Sequence, residues 1–126
     1  MNKRYIENKI PEAIELIRKN AKVYFEKEDA VPNEFMGYIS SFAVSVTLSG
    51  PVQAITFYQD KGSAKFHREE MIRVIKELME VEGDFENFIN YMKENPSKKA
   101  KLLDSAITFK MALRVFALKK GLSNES

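Results

Sequence analysis

The 126-residue sequence has no cysteine and a single histidine, His67. Without cysteine there is no disulfide, no thiol nucleophile and no cysteine-ligated zinc. With one imidazole, multi-histidine metal sites and Cys-His machinery are excluded as well. Glycine is scarce, at five residues. None falls in a G-x-x-x-x-G-K or G-x-G-x-x-G loop, so the sequence offers no phosphate cradle for a nucleotide. The opening residues, Met1 to Glu7, lack an apolar run and a small-residue cleavage site, so no signal peptide is expected. A cytoplasmic location fits a cysteine-free chain. There is no internal repeat, low-complexity tract or Gly/Ser linker.

What remains is the composition of one folded domain. Apolar residues make up 44% and charged residues 30%, a balance typical of neither disordered tails nor membrane proteins. Net charge is +2, but it is unevenly spread. Residues 1–27 sum to +3, residues 28–59 to −3, and residues 97–126 to +5. Basic ends can bind phosphate. Solvated helix faces are the alternative.

Turn residues at Val31-Pro32-Asn33, Ser49-Gly50-Pro51, Asp60-Lys61-Gly62-Ser63, Glu82-Gly83-Asp84 and Glu94-Asn95-Pro96-Ser97 cut the domain into about five segments. The first, about 9–27, has helical spacing through Ile10, Ala13, Ile14, Ile17 and Ala21, with Pro11 expected in its first turn. Glu15 and Lys19 are spaced to pair on its outer side. The third, about 64–81, repeats Met71, Ile72, Ile75, Leu78 and Met79, with Ser63 suited to its N-cap. The fourth, about 84–94, starts on Asp84 as N-cap. The fifth, from Ser97 to about Lys120, carries Leu102, Leu103, Ala106, Phe109, Leu113 and Phe116, with Gly121 as its stop. Lys98 and Lys99 open that helix against its dipole, a hint that something else requires them there.

The second segment, residues 35–59, has no charged residue in 25 positions. Its serines and threonines with Gly50-Pro51 argue against a membrane helix. Two arms around Ser49-Gly50-Pro51 suit a β-hairpin. Equally, Phe35, Ile39, Phe42 and Val46 form one helix face that Ala54, Ile55 and Tyr58 extend past a kink at Pro51. The segment reads as a buried central helix or as a surface for other subunits, where Tyr38 and Tyr58 would suit an interface.

The stretch from Phe35 to Phe57 resembles the small-subunit family of the type III-B CRISPR (Cmr) effector complex. Phe35 takes that family's aromatic position, Phe42-Ala43 its Leu-Pro, Val46 its Ile, Ser49-Gly50-Pro51 its Asn-Gly-Leu, and Ile55-Thr56-Phe57 its terminal apolar run. Leu113-Arg114-Val115-Phe116-Ala117 resembles its closing Leu-Lys-Arg-Phe-Ala. Ala43 lacks the family's proline, Pro51 replaces leucine, and Val115 replaces a basic residue. The resemblance implies an all-α fold, a bundle of about five to six helices with a long kinked central apolar helix; the length suits one compact single domain, with a loose tail expected from about 121 to 126. It implies no catalysis and no cofactor or metal. The partners would be other effector subunits, copies of the chain itself, guide RNA and target RNA, with no membrane and no small-molecule substrate.

Within that frame the cations carry the function. Arg18 with Lys22, and Lys110 with Arg114, are each one helical turn apart, and Lys61 and Lys65 flank the turn before the third segment. Spaced cations suit a sequence-blind grip on an RNA backbone. Arg114 falls on the family's basic position; the other five are chosen by spacing. His67 reads as a surface or partly buried histidine, with stacking on RNA as the alternative. Asp29, Asp60, Asp84 and Asp104 read as caps or solvated charges. The rival reading of the whole chain is a small helical adaptor or regulator that binds a protein and no nucleic acid.

Overall fold

A computed structural model describes residues 1–25, 30–59 and 68–119. Among them the fold is all-α, with six α-helices and one short 3-10 turn. His67, Lys61, Lys65, the Ser63 cap, the Gly121 stop and the expected tail lie outside the described residues.

Helix α1 (Lys3–Phe25) begins six residues earlier than its apolar spacing suggested, so Pro11 sits inside it rather than in its first turn. Local capping explains the early start. The Asn2 side chain accepts the Tyr5 backbone N–H at 3.0 Å, and the Asn2 carbonyl accepts that of Ile6 at 3.1 Å. Pro11 removes one intrahelical hydrogen bond, but Ile6 before it and Ala13 and Ile17 after it are all buried. Both halves are thus held by packing.

Helices α2 (Glu34–Ser49) and α3 (Pro51–Tyr58) make up the uncharged segment, so the hairpin alternative is excluded. The chain is broken between them rather than kinked. Gly50 takes φ 93° and ψ 159°, a backbone that side-chain-bearing residues rarely adopt. Pro51 then supplies the preset φ that opens a new helix. Phe35, Ile39, Phe42 and Val46 of α2 and Ala54, Ile55 and Tyr58 of α3 face the core. Phe42 and Tyr58 meet edge to face, with centroids 5.3 Å apart and planes at 81°.

Helix α4 (Arg68–Leu78) is followed by α5 (Phe85–Glu94), where Asp84 caps as expected by accepting the Asn87 N–H at 2.9 Å. After the 3-10 turn Pro96–Lys98 comes α6 (Lys99–Leu113). This helix, not the uncharged segment, is the central one. It packs on α1, α2 and α4, and Leu102, Asp104, Ser105, Ala106, Thr108, Phe109, Ala112 and Leu113 are buried. Its buried polar groups are satisfied. Thr108 Oγ1 donates to the Asp104 carbonyl at 2.8 Å, Ser105 Oγ lies 2.7 Å from the Tyr5 hydroxyl, and the Asp104 carboxylate accepts the Asn2 N–H at 3.0 Å.

Helix α6 also ends earlier than expected, at Leu113 instead of near Lys120. Arg114, Val115 and Phe116 bond back only three residues, to Met111, Ala112 and Leu113. That tightened turn releases the chain into strand β2 (Ala117–Lys119), which pairs in parallel with β1 (Ala30–Pro32). The register is Ala30 to Ala117, Val31 to Leu118 and Pro32 to Lys119. Asn2 against Asp104, Tyr5 against Ser105 and Arg18 over Phe116 show that α1 and α6 run side by side in the same direction.

Candidate subunit-contact and RNA-contact surfaces

Only one side of the uncharged segment is used by the core. Val44, Leu48 and Phe57 stand 56%, 79% and 55% exposed. In α2 the cause is helical phase: Val44 and Leu48 each lie two residues, or about 200°, from the buried Phe42 and Val46. Where α2 gives way to α3, a shallow cavity of about 280 Å3 opens between Ser45, Ser49, Gln53, Ala54 and Phe57. The result is a neutral face with apolar groups on it and no formal charge from residue 35 to residue 59.

The two tyrosines expected at an interface part company. Tyr38 is half-buried beside Phe35, with centroids 6.2 Å apart, and its position keeps a surface available. Tyr58 is 3% exposed and packed on Phe42, so its ring offers no contact area to another subunit. The exposed aromatic of α3 is its neighbour Phe57, which was not expected at an interface. The signal was present: Tyr58 continues the buried stripe of Ala54 and Ile55, which turns residue 57 outward.

The cations divide by end. The Arg18 guanidinium is ion-paired with Glu15 and lies 5.7 Å from the centroid of the Phe116 ring. Glu15 therefore holds Arg18 rather than the expected Lys19. Arg114 is two residues from Phe116 and exposed, and Lys110 is half-buried one turn before it. Arg18, in the second half of α1, thus lies beside the end of α6, which carries Lys110 and Arg114. Lys22 is one turn beyond Arg18 in α1. Lys61 and Lys65 lie outside the described residues, so the grouping with them is not placed.

A second cluster, not anticipated from the sequence, surrounds Tyr5 where the same two helices begin. Lys9 Nζ lies 6.0 Å and Lys101 Nζ 5.7 Å from its ring centroid. Lys9 also bridges Glu12 at 3.3 Å and Glu80 at 3.0 Å. Burial of Lys9 works against its charge, yet hydrogen bonds to Glu80 and Glu12 outweigh it and hold its pKa above 10.5. The same bond from Lys9 draws the Glu80 carboxyl below 4.5. Desolvation pushes the Tyr5 phenol above 10.0, against the hydrogen bond from Ser105.

Among the described residues there is no group of three His, Asp or Glu side chains placed to hold a metal ion, and no helix long and apolar enough to cross a membrane. No family model matches the chain, and neither a curated protein nor a solved structure is significantly similar to it.

Proposed function

We propose that the chain is a non-catalytic small subunit of a type III-B CRISPR effector ribonucleoprotein, working in the cytoplasm. It stacks with larger subunits and with its own copies, and helps hold the target RNA by contacts to phosphate. The observation that carries this reading is the neutral α2–α3 face, where Val44, Leu48 and Phe57 stand in water on the stretch whose residues resemble the family. A surface that meets both like copies and unlike neighbours gains from having no charge to desolvate. Exposed Arg114, with Lys110 behind it, supplies the positive charge that a phosphate backbone requires.

The test is affinity capture of the tagged chain from its native host, with bound proteins identified and bound RNA sequenced. Several larger subunits with short RNAs sharing a common 5′ end is the expected result. Capture of one protein and no RNA would replace this reading with that of a helical adaptor.

A further inference from the structure

The chain places five cations where its electrostatics oppose them. Helices α2, α4 and α5 each carry a carboxylate in the first turn, Glu34, Glu69 with Glu70, and Glu86, as the positive end of a helix favours. Helices α1 and α6 carry none there. They open instead with Lys3 and Arg4, and with Lys98, Lys99 and Lys101. The fold then sets the start of α1 against the first two turns of α6. Asn2 and Tyr5, on either side of Lys3 and Arg4, are bonded to Asp104 and Ser105, and Lys101 lies against the Tyr5 ring. Glu80, paired with Lys9, also acts on Lys101, and the Asp104 carboxylate accepts the Asn2 N–H, but Lys3, Arg4, Lys98 and Lys99 make no ion pair among the described residues. Like charges at paired helix starts work against stability, so their gain lies in something bound.

We propose that Lys3, Arg4, Lys98, Lys99 and Lys101 form a second phosphate-contacting surface for a single RNA strand, at the opposite end of the α1–α6 pair from Arg18, Lys110 and Arg114. The proposal rests on the reading of the chain as an RNA-contacting subunit and deepens it. The two ends are about 20 Å apart along α1, at 1.5 Å per residue. One extended strand lying along the pair meets both. Five side chains presenting ammonium or guanidinium groups suit a backbone contact that ignores sequence.

The test uses the full chain and a fluorescently labelled uridine oligonucleotide of about 30 nucleotides, followed by anisotropy at several salt concentrations. The variant is Lys3→Gln/Arg4→Gln/Lys98→Gln/Lys99→Gln, which leaves Lys101 on Tyr5. It is expected to bind on the order of tenfold more weakly at low salt, with a log–log salt slope shallower by about 0.7 for each phosphate that is no longer neutralised. Its melting temperature is expected to hold or rise, since repulsion has been removed; a surface needed only for folding gives the reverse. The half-variants Lys3→Gln/Arg4→Gln and Lys98→Gln/Lys99→Gln, each with part of the loss, guard against misfolding. Wild-type affinity and slope in the fourfold variant overturn the proposal while the RNA-contact reading stands. So does a variant that keeps RNA but loses the larger subunits, which would make the surface a protein contact. No salt-dependent binding by the wild-type chain, alone or in its complex, would overturn that reading and this surface with it.

Discussion

Glu80 stands in the left-handed backbone region at φ 60°, and from there its carboxylate closes on Lys9 Nζ at 3.0 Å, 71 residues away in sequence. The position ends α4 in the manner usually given to glycine. Val81 N–H reaches the Lys76 carbonyl and Glu80 N–H the Glu77 carbonyl, at 3.1 and 3.0 Å. Two substitutions separate backbone strain from side-chain pairing. Glu80→Ala keeps the strained backbone and loses Lys9, and is expected to lower the melting temperature. Glu80→Gly relieves the strain and is expected to melt about 2–5 °C above Glu80→Ala. Equal melting temperatures would show that the left-handed residue is unstrained.

The same pair gives a pH signature. Glu80 has its pKa lowered in the fold, so its contribution is present above 4.5 and is lost as pH falls through the lower folded value. Lys9 has its pKa raised, so its contribution is present below 10.5 and is lost as pH rises through the higher folded value. Thermal melts of wild type and Lys9→Met across a pH series are expected to differ by a constant amount between those limits and to converge outside them. A constant difference at every pH would count against the pair.

Tyr5 and Ser105 tie the start of α1 to the middle of α6 through a 2.7 Å hydroxyl contact, with the Leu78 carbonyl accepting from Tyr5 at 3.4 Å. Tyr5→Phe and Ser105→Ala are each expected to cost about 1 kcal/mol. Denaturant titration of the double variant is expected to show a loss smaller than the sum, by about 0.5–1.5 kcal/mol. Strict additivity would mean the hydroxyls act apart.

On the neutral face, Leu48→Lys and Phe57→Lys change groups that solvent already reaches. Each variant is expected to keep its stability within about 0.5 kcal/mol. Assembly with the larger subunits is expected to weaken on the order of thirtyfold, as for an interface anchor. Gel filtration with those subunits reads the outcome, and undiminished assembly would move the contact elsewhere.

Local signals in the sequence were enough for the helices and little else. The 4, 3, 4 spacing of Phe35, Ile39, Phe42 and Val46 and the Asp84 cap were legible because each is settled within a few residues. The break at Gly50 was visible as punctuation, but its φ was not. Pro11 misled because Asn2, which caps α1 beyond it, looks like any other asparagine. The end of α6 was hidden for a different reason: the strand that replaces its last turn pairs Ala117 with Ala30, 87 residues away. The cluster around Tyr5 depends on three elements meeting, and no spacing along one helix announces it. Tyr58 was placed correctly by its stripe and wrongly by its chemistry, since an amphipathic ring suits a core as well as an interface.

The side-by-side alignment of α1 and α6 also bears on how the chain acquires its shape. Among the described residues the most extensive packing joins the first helix to α6, so the decisive contacts are among the most distant in sequence. Helical bundles owe their speed of folding to local contacts, and this one forgoes part of that advantage. During synthesis the core face of α1 has β1 and α4 to pack on before α6 supplies the rest. A fragment that lacks α6 leaves α1 without its main partner, so the described fold closes only once α6 has been made.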